Sequence, residues 1–470
     1  MTSPSTPSSA PAMPVSGTMV AGHGGAPGTI PGPLSGIRIG VDGYNLALAR
    51  GTGIATYARG LTHCLRDMGC KVDILFGRRV QLSPEPILRE IAFIDPDGVK
   101  PRHPKRQRFV QALTSPFGCT ASIIEVQGRV MAREVAASLP HFDRIAAVPD
   151  LVHRAMRHFN RWGRFLRVRM ENPPAIMHWT YPLPIRLEGA RNIYTLHDLV
   201  PLKLPYLTLD DKKYYHALIS RCVDSASHIC TVSTRSRDDI QEMFGVPDER
   251  ISVTYQSVVL PEISIGQDPA QSHRLVADVY GFPWQGYFLF FGAIEPKKNL
   301  RRLIEATLKA CPSRPLVIVG DAAWKALDES NFLADYEREI ALTGAPRRLL
   351  KFSYVPMEHL VALVRGARAV LFPSLYEGFG LPIIEAMAMG TPVLTSTEGS
   401  MPEIAGDAAL LVDPYDIEAM ARAIAALDTD DSLTAALAAR GPEQARRFGV
   451  QPYIERLELM YSKVLGQLPG

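Results

Sequence analysis

The sequence predicts an α/β protein made of two doubly wound, Rossmann-like parallel sheets. Three observations predict this class. Short apolar runs alternate with helical patterns through the first half of the chain, the same alternation restarts after a polar stretch at 261–275, and strand-like runs flank a glycine-rich loop at 376–393. A chain of 470 residues, of which 46% are hydrophobic and 21% charged, is long enough to bury two such cores.

The predicted boundaries follow composition. Residues 1–35 contain no Lys, Arg, Asp or Glu, which predicts a disordered leader rather than a signal peptide. We predict a first domain at 36–260 with an irregular Arg- and Pro-rich insert at about 80–170, a linker at 261–275, a second domain at 276–450 and a terminal helix at 451–466. The six cysteines show no zinc-like spacing, and no apolar run approaches the ~18 residues of a membrane span. These features predict a cytoplasmic protein without a metal site.

The first domain opens with a βαβ unit, which consists of a strand at 37–41, a helix at 55–65 and a strand at 71–75. Further strands are predicted at 175–178, 192–196 and 228–232, with a helix at 209–226 between the last two. In the second domain we predict strands at 287–291, 316–319, 349–352 and from 369, with helices from 300, near 330–342 and from 358.

The segment from Tyr376 to Val393 carries the strongest functional signal. Glu377 and Glu385 are separated by seven residues that include Gly378, Gly380 and Pro382. Glycines allow a tight loop, and proline suits the first turn of a helix, so Glu377 is predicted in a loop and Glu385 one turn inside a helix. The N–H groups of this helix start would bind a phosphate. Because carboxylates bind sugar hydroxyls well, the pattern indicates a nucleotide-sugar site.

This segment resembles the Glu-x7-Glu signature of retaining glycosyltransferases of family 4. The resemblance extends over about 36–465 and is patchy between 80 and 170. It implies the GT-B fold, in which two Rossmann-like domains face each other across a cleft. It also implies that Glu377 lies near the donor sugar and diphosphate, and that Glu385 holds the ribose. The loop residues Gly378, Phe379, Gly380 and Leu381 would line the donor.

Three other segments support the resemblance. Phe291–Leu300 resembles the family's phosphate-binding stretch, in which Gly292 precedes the loop and Lys298 is the phosphate lysine. Many members have Arg where this chain has Ala293, so a cation is missing unless Lys297 supplies it. His197 would contact the donor-sugar region from the first domain. The remaining expected donor contacts are a glycine loop with Gly51 and Gly53, which could equally be a tight turn, and the backbone at Tyr354 and Val355.

The charge distribution suggests where anionic partners bind. The first half is basic and the second half acidic, although the net charge is only +3. Leu151–Met170 contains six arginines (154, 157, 161, 164, 167 and 169) and no acid, with aromatic residues between them. We interpret it as an amphipathic helix that could meet anionic lipid at the cytoplasmic membrane face. A basic helix packed on the domain remains an equal alternative, and no motif indicates nucleic-acid binding.

The resemblance therefore predicts a metal-independent, retaining hexosyltransferase without a cofactor. Its donor would be a nucleoside-diphosphate sugar, with GDP-mannose expected, and its acceptor a saccharide or a polyprenyl-linked saccharide. Two alternatives remain open at this point. One is a sugar-nucleotide epimerase on the same fold. The other is a degenerate sugar-nucleotide-binding scaffold, which is motivated by Ala293 and by Tyr255-Gln-Ser, where most members have Asn-Gly-Val.

Overall fold

The structure is a computed structural model of the chain, and it describes residues 32–47, 53–77, 85–94, 114–125, 140–258, 268–321, 336, 338 and 348–466. Two extended, mainly parallel sheets with helices between successive strands confirm the predicted α/β class. The predicted leader up to residue 31, Gly51, and most of the helix expected near 330–342 lie outside the described residues.

The strands of the first half are short and mostly buried. In chain order they are β1 (Arg38–Asp42), β2 (Lys71–Phe76), β3 (Cys119–Thr120), β4 (Ser122–Ile124), β5 (Arg144–Ala147), β6 (Leu166–Arg169), β7 (Ile176–Trp179), β8 (Ile185–Leu187), β9 (Arg191–Thr195), β10 (His228–Thr231) and β11 (Ile251–Val253). Eight of them form a sheet in the order β11-β10-β9-β7-β1-β2-β5-β4, and all pairs in it are parallel except β4 with β5. Continuous apolar runs suit central strands that are covered on both faces.

The described helices of the first half number six, and two of them begin at a residue whose side chain caps the helix. They are α1 (Gly53–Asp67), α2 (Pro86–Ile94), α3 (Leu151–Trp162), α4 (Val200–Lys203), α5 (Lys212–Ser225) and α6 (Thr234–Phe244). The side chain of Asp211 accepts from Tyr214 N at the start of α5, and Ser233 accepts from Ser236 N at the start of α6. Such caps satisfy backbone donors that the first turn leaves free.

The predicted irregular insert at 80–170 is partly wrong, because some of it belongs to the main sheet. Strands β4 and β5 extend that sheet beyond β2, and β3, β6 and β8 form a separate three-stranded sheet. These strands have only two to four residues. Runs this short give too little periodicity to be recognised in the sequence.

The Arg-rich segment 151–170 is not a single helix, which corrects the sequence interpretation. Helix α3 ends at Trp162 because Gly163 adopts a left-handed conformation (φ 61°) and donates its N–H to Phe159 O. Such a glycine C-cap is a common helix terminator. Arg164 follows the cap, while Arg167 and Arg169 lie on the exposed side of β6. The six arginines therefore do not share a helix face.

The second half of the chain contains a six-stranded parallel sheet. Its strands are β12 (Phe288–Phe291), β13 (Leu316–Val319), β14 (Leu349–Phe352), β15 (Ala369–Phe372), β16 (Val393–Ser396) and β17 (Leu410–Val412), in the order β14-β13-β12-β15-β16-β17. The helices are α7 (Pro269–Tyr280), α8 (Leu300–Ala310), α9 (Met357–Gly366), α10 (Leu381–Ala388), α11 (Met401–Ala405), α12 (Ile417–Thr429) and α13 (Asp431–Arg446). Residues 269–275, expected in the linker, are helical because Asp268 caps α7 by accepting from Ala270 N.

The last helix, α14 (Val450–Leu465), packs against the first half of the chain. The hydroxyl of Tyr461 lies 2.6 Å from Nδ1 of His178 on β7, and the Tyr453 ring lies 6.5 Å from that of Tyr57 on α1. Val258 N also donates to Phe448 O at 2.9 Å. These buried contacts join the two halves behind the sheets, and so they limit how the halves can move relative to each other.

Candidate active site

The segment that contains the lysine pair and the segment that contains Glu377 meet at the carboxyl ends of neighbouring strands. Glu377 lies in the loop between β15 and α10, and Lys297 and Lys298 lie in a 3-10 turn that follows β12. Strands β12 and β15 are adjacent in the sheet, and Leu375 N donates to Lys297 O at 2.8 Å, which ties the two loops together. Parallel sheets bind ligands at this edge.

Glu377 is almost fully buried between the two lysines. Its Oε1 accepts from Lys298 Nζ at 2.5 Å and its Oε2 from Lys297 Nζ at 3.4 Å. Burial alone would raise the pKa of Glu377, but the two ammonium groups outweigh it and lower the pKa. Burial alone would lower the pKa of Lys297, but the nearby Glu377 carboxylate outweighs burial and raises it. Glu377 and Lys297 are therefore charged at neutral pH, and a second carboxylate lies beside the lysine pair, because Glu295 Oε2 is 3.9 Å from Lys297 Nζ.

Glu385 lies in the second turn of α10 and has a different environment. Burial raises the pKa of its carboxyl to about 7. Within the described part of the chain, that carboxylate has no hydrogen-bond or ion-pair partner. A buried carboxylate without partners loses the stabilisation that water would give it, so it is suited to accept hydrogen bonds from a ligand.

The loop between the two glutamates exposes backbone donors. Gly380 adopts a positive φ of 98° immediately before α10, where a side chain would be strained. Among the described residues, no hydrogen bond uses the N–H groups of Gly378, Phe379 and Gly380. Free N–H groups at a helix start attract anions. The loop and the lysine pair thus define a cationic and polar space at one edge of the sheet, and Glu385 follows the loop in the second turn of α10.

His197 approaches this space from the first half of the chain. Its Nε2 donates to Thr180 O at 2.8 Å, and Thr180 in turn donates both its N–H and its hydroxyl to the buried carboxylate of Asp42. Burial lowers the pKa of His197, so the ring is neutral and Nδ1 is its acceptor nitrogen. Asp42, which the sequence did not reveal, therefore positions His197 through Thr180. Asp198 accepts from Val200 N at 3.1 Å in the turn that leads into α4.

Gly378 is required by the contact between the two halves of the chain. A Cβ atom on Gly378 would lie 2.5 Å from His197 O and 3.0 Å from the Cβ of Asp198. Ser236 Oγ donates to the same His197 carbonyl at 2.8 Å. On the opposite side, a Cβ on Gly53 would lie 3.6 Å from Leu381. The backbone at Gly378 therefore contacts the backbone at His197 across the cleft.

The Gly378→Ala variant should fold but lose activity. Its methyl group cannot fit against a carbonyl oxygen at 2.5 Å, so the halves would be held apart by about an ångström. Misplacement of this size can reduce turnover by roughly a hundredfold. Transfer assays combined with thermal melting would show this. Gly32→Ala is the control, because its Cβ would meet only the flexible Glu458 side chain at 3.4 Å. Equal activity of both variants would contradict the contact.

Several residues that support the site have no recognisable sequence signal. Ser400 Oγ donates to Glu377 O at 3.0 Å and to Phe379 O at 2.9 Å, which fixes the loop. Tyr376 donates to Asp239 of the first half, and the Glu403 carboxylate accepts from Thr234 N at 3.1 Å. These contacts join positions far apart in sequence, so no local pattern predicts them.

The remaining residues expected to bind the sugar donor include Gly292, Tyr354 and Val355. Gly292 has a φ of 127°, and a Cβ on Gly320 would lie 1.9 Å from Gly292 O, so the ends of β12 and β13 are closely packed. Val355 is buried in the core, and the side chain of Tyr354 is 81% exposed. Ala293 is exposed and adds no cation to the cluster.

In the described ranges, no group of three His, Cys, Asp or Glu side chains could hold a metal ion. The two carboxylates of the Asp-x-Asp sequence at 428–430 have structural partners, since Asp428 accepts from Ser313 N and Asp430 caps α13 through Leu433 N. No described helix is both long and apolar enough to cross a bilayer.

Two domains that meet at the carboxyl ends of their sheets, with a cationic and polar site between them, define the GT-B class. Residues 282–444 match the family described as glycosyl transferases group 1, and residues 52–255 match the glycosyl transferase 4-like domain. The chain belongs to these glycosyltransferases.

Individual relatives and structures agree with this assignment. The chain is 37% identical over 271 residues to the O-antigen chain mannosyltransferase B of Escherichia coli, over 57% of this chain and 68% of that protein. It is 30% identical over 248 residues to the O-antigen chain mannosyltransferase RfbU of Salmonella typhimurium, over 53% of this chain and 62% of that protein. The crystal structure of Anabaena HepE in complex with UDP has a TM-score of 0.60 at 14% identity, and the alignment covers 92% of this chain and 100% of that one. It supports the fold alone.

Proposed function

We propose that this glycosyltransferase moves mannose, with retention of configuration, from a nucleoside-diphosphate sugar to a saccharide acceptor in polysaccharide assembly. The observation that carries the proposal is the Glu377–Lys297–Lys298 cluster beside the free N–H groups of the 378–380 loop, with the unpartnered Glu385 one helix turn beyond. Mannose as the sugar is supported by the names of the two O-antigen relatives, and GDP-mannose is the donor that we propose for it.

The diphosphate would be held by the two lysines and the loop. In the absence of a ligand the Glu377 and Glu295 carboxylates offset the lysine charges, and the two ammonium groups together with the loop N–H groups would bind the phosphates when the donor enters. During transfer, negative charge builds up on the leaving diphosphate, and fixed cations close to it lower the barrier. We expect this arrangement to replace a divalent ion.

The two glutamates would then have separate tasks. Glu385, which has no partner of its own, would accept hydrogen bonds from the ribose hydroxyls. Glu377, held by the lysines, would lie beside the transferred sugar and the diphosphate. The acceptor would attack from the face that the diphosphate leaves, with His197 contacting the sugar from the opposite domain. No side chain in this arrangement has to act as a covalent nucleophile.

The proposal is tested by incubating the enzyme with labelled GDP-mannose, UDP-glucose and related donors, each with and without a manno-oligosaccharide acceptor. Extension of the acceptor from GDP-mannose is the expected result. Release of an epimer of the donor sugar would indicate an epimerase. Binding of donors in a thermal-shift screen without any turnover would indicate a binding scaffold.

We further propose that the enzyme meets anionic membrane through a patch on the first domain, defined here as Phe117, Arg161, Trp162, Arg164 and Arg167. Phe117 is 72% exposed and Trp162 is 49% exposed. Arg161 lies over the Trp162 ring at 5.3 Å, and Arg164 has no partner among the described residues. Exposed aromatic rings with neighbouring arginines are typical of interfacial binding, and a polyprenyl-linked acceptor would be found at such a surface.

Changing Arg161, Arg164 and Arg167 to Gln should weaken binding to phosphatidylglycerol vesicles by about a hundredfold. Each basic residue near an anionic surface contributes about 1 kcal/mol, and the contribution is screened by salt. Sedimentation at low and high salt measures the effect. Transfer to a water-soluble acceptor should be unchanged.

A control with the same loss of charge is the triple change to Gln at the exposed positions Arg422, Arg440 and Arg446 of the second domain. It should leave vesicle binding intact if the patch is responsible. Failure of the unaltered enzyme to sediment with anionic vesicles at low salt would refute the membrane proposal.

A further inference from the structure

A second groove lies at the junction of the two domains, separate from the donor site. It has a volume of about 400 Å³, and its walls include Tyr206 of the first domain and Asn299, Arg302 and Tyr415 of the second. This volume falls in the range of roughly 300–1,000 Å³ that is usual for ligand pockets. None of the residues proposed to bind the donor lines it. Leu375, which does, lies two positions before Glu377, so the groove is adjacent to the loops that hold the active site.

One wall of the groove is a preformed aromatic and cationic surface. The side-chain amide of Asn299 is buried and donates to Pro414 O at 2.7 Å and to Pro373 O at 3.1 Å. Its oxygen accepts from Arg302 Nη1 at 3.1 Å. The Arg302 guanidinium lies 5.2 Å from the centre of the Tyr415 ring. Asn299 therefore fixes both Arg302 and the Tyr415 segment before any ligand binds.

The opposite wall is an exposed tyrosine. Tyr206 is 63% exposed in a short 3-10 turn anchored by the buried Leu207, and Tyr415 is 47% exposed. The Tyr206 and Tyr415 side chains are hydrogen-bonded to each other across the domain junction. Two tyrosine rings thus project into water on either side of one groove. Each ring offers an apolar face with a hydroxyl at its edge.

These groups match the chemistry of a sugar better than that of a phosphate or a peptide helix. A hexose has an apolar C–H face, which packs on an aromatic ring, and a rim of hydroxyls, which take hydrogen bonds. Arg302 uses only one of its five N–H donors in a hydrogen bond among the described residues. The positive charge of Arg301 is offset by Glu305, whose Oε1 accepts from Arg301 Nε at 3.0 Å. The groove therefore offers several hydrogen-bond donors, and its charged lining residues leave one net positive charge, that of Arg302, beside the Tyr415 ring.

We propose that this groove binds hexose units of the acceptor saccharide away from its reacting end. The identity of the saccharide rests on the proposed function, whereas the binding of a saccharide in the groove does not. Such a subsite would let the enzyme hold a longer chain more tightly than a short one, while leaving the chemistry at Glu377 and Lys298 unchanged.

The test compares manno-oligosaccharide acceptors of increasing length in the unaltered enzyme and in Tyr206→Ser. Loss of one stacking surface and its hydroxyl should raise KM for the long acceptors by about tenfold. KM for the shortest acceptor and kcat should not change. Leu209→Ser is the matched control, because Leu209 is also exposed, lies in the same segment and does not line the groove. A rise in KM that is equal for all lengths would mean that Tyr206 supports domain closure, and would overturn the subsite.

Saturation-transfer NMR on the full chain separates this inference from the proposed function. A long manno-oligosaccharide is added to enzyme whose donor site is filled with GDP, and its binding is measured with and without Tyr206→Ser. Binding that is lost in the variant supports the groove even if no transfer from GDP-mannose occurs. Absence of saccharide binding to the unaltered enzyme, or equal binding in both, overturns it.

Discussion

Replacing Lys298 with alanine should reduce sugar transfer by about a hundredfold to a thousandfold, the usual effect of removing a group that stabilises charge in a transition state. Lys298 Nζ lies 2.5 Å from Glu377 and 4.5 Å from the centre of the Phe372 ring, so its position is fixed by its surroundings. The variant also leaves Glu377 with only the more distant Lys297. Initial rates at saturating donor measure the effect. Lys309→Ala, which removes a surface lysine paired with Glu418, should be fully active.

Adding a chelator to the same rate assay tests whether a metal ion also stabilises the leaving diphosphate. If Lys297 and Lys298 neutralise the leaving diphosphate, a chelator should not affect the unaltered enzyme. Activity that is abolished by the chelator and restored by magnesium would show that a metal ion stabilises the diphosphate, and that the role given to Lys298 is wrong.

Glu385→Gln should weaken binding of both the donor and the free nucleoside diphosphate by roughly tenfold to a hundredfold, because hydrogen bonds to a charged group contribute about 1.5–3 kcal/mol. The amide keeps the size of the side chain but accepts hydrogen bonds less strongly. Titration calorimetry with GDP measures the change. Unaltered affinity in a folded variant would show that the ribose is held elsewhere.

The pH dependence of this binding gives a second readout for Glu385. Its pKa is raised from 4.5 to about 7, so the carboxylate form that accepts ribose hydroxyls becomes populated as the pH rises through about 7. Nucleotide affinity should therefore increase from about pH 6 to pH 8, and Glu385→Gln should lose that part of the increase. In the ligand-free protein, the contribution of Glu385 to folding stability changes with pH in the opposite direction to nucleotide affinity. A carboxyl whose pKa is raised by folding contributes its full stability below the unfolded value, and this contribution is lost as the pH rises towards 7.

Much of the second domain could be predicted from sequence because its strands are continuous apolar runs. The run at 288–291 and the run at 369–372 were recognised within a residue, and both are fully or almost fully buried. Glu377 and Lys298 were also found by pattern, since each follows such a strand and precedes a helix. Their contact follows from the adjacency of β12 and β15 in the sheet, which only the tertiary structure provides.

Other features could not be predicted, for physical reasons that differ between them. Gly163 ends α3 with a left-handed cap. In the sequence, the regular spacing of the arginines predicts a helix that continues past this single glycine. The sequence predicts a tight loop at Gly378, but the close approach of this glycine to the His197 carbonyl of the other domain depends on the tertiary structure. The link from Asp42 through Thr180 to His197 joins residues 138 and 17 positions apart, so it depends on the order of strands in the sheet.

The most direct test of the proposed function is the anomeric configuration of the product formed from GDP-mannose and a manno-oligosaccharide. The donor carries mannose in the α configuration, and NMR of the purified product shows whether the new bond is α or β. A retaining mannosyltransferase gives a new α-mannosidic bond, which is the result we predict. A β-mannosidic product would show inversion at the anomeric carbon, and would contradict the same-face attack proposed here.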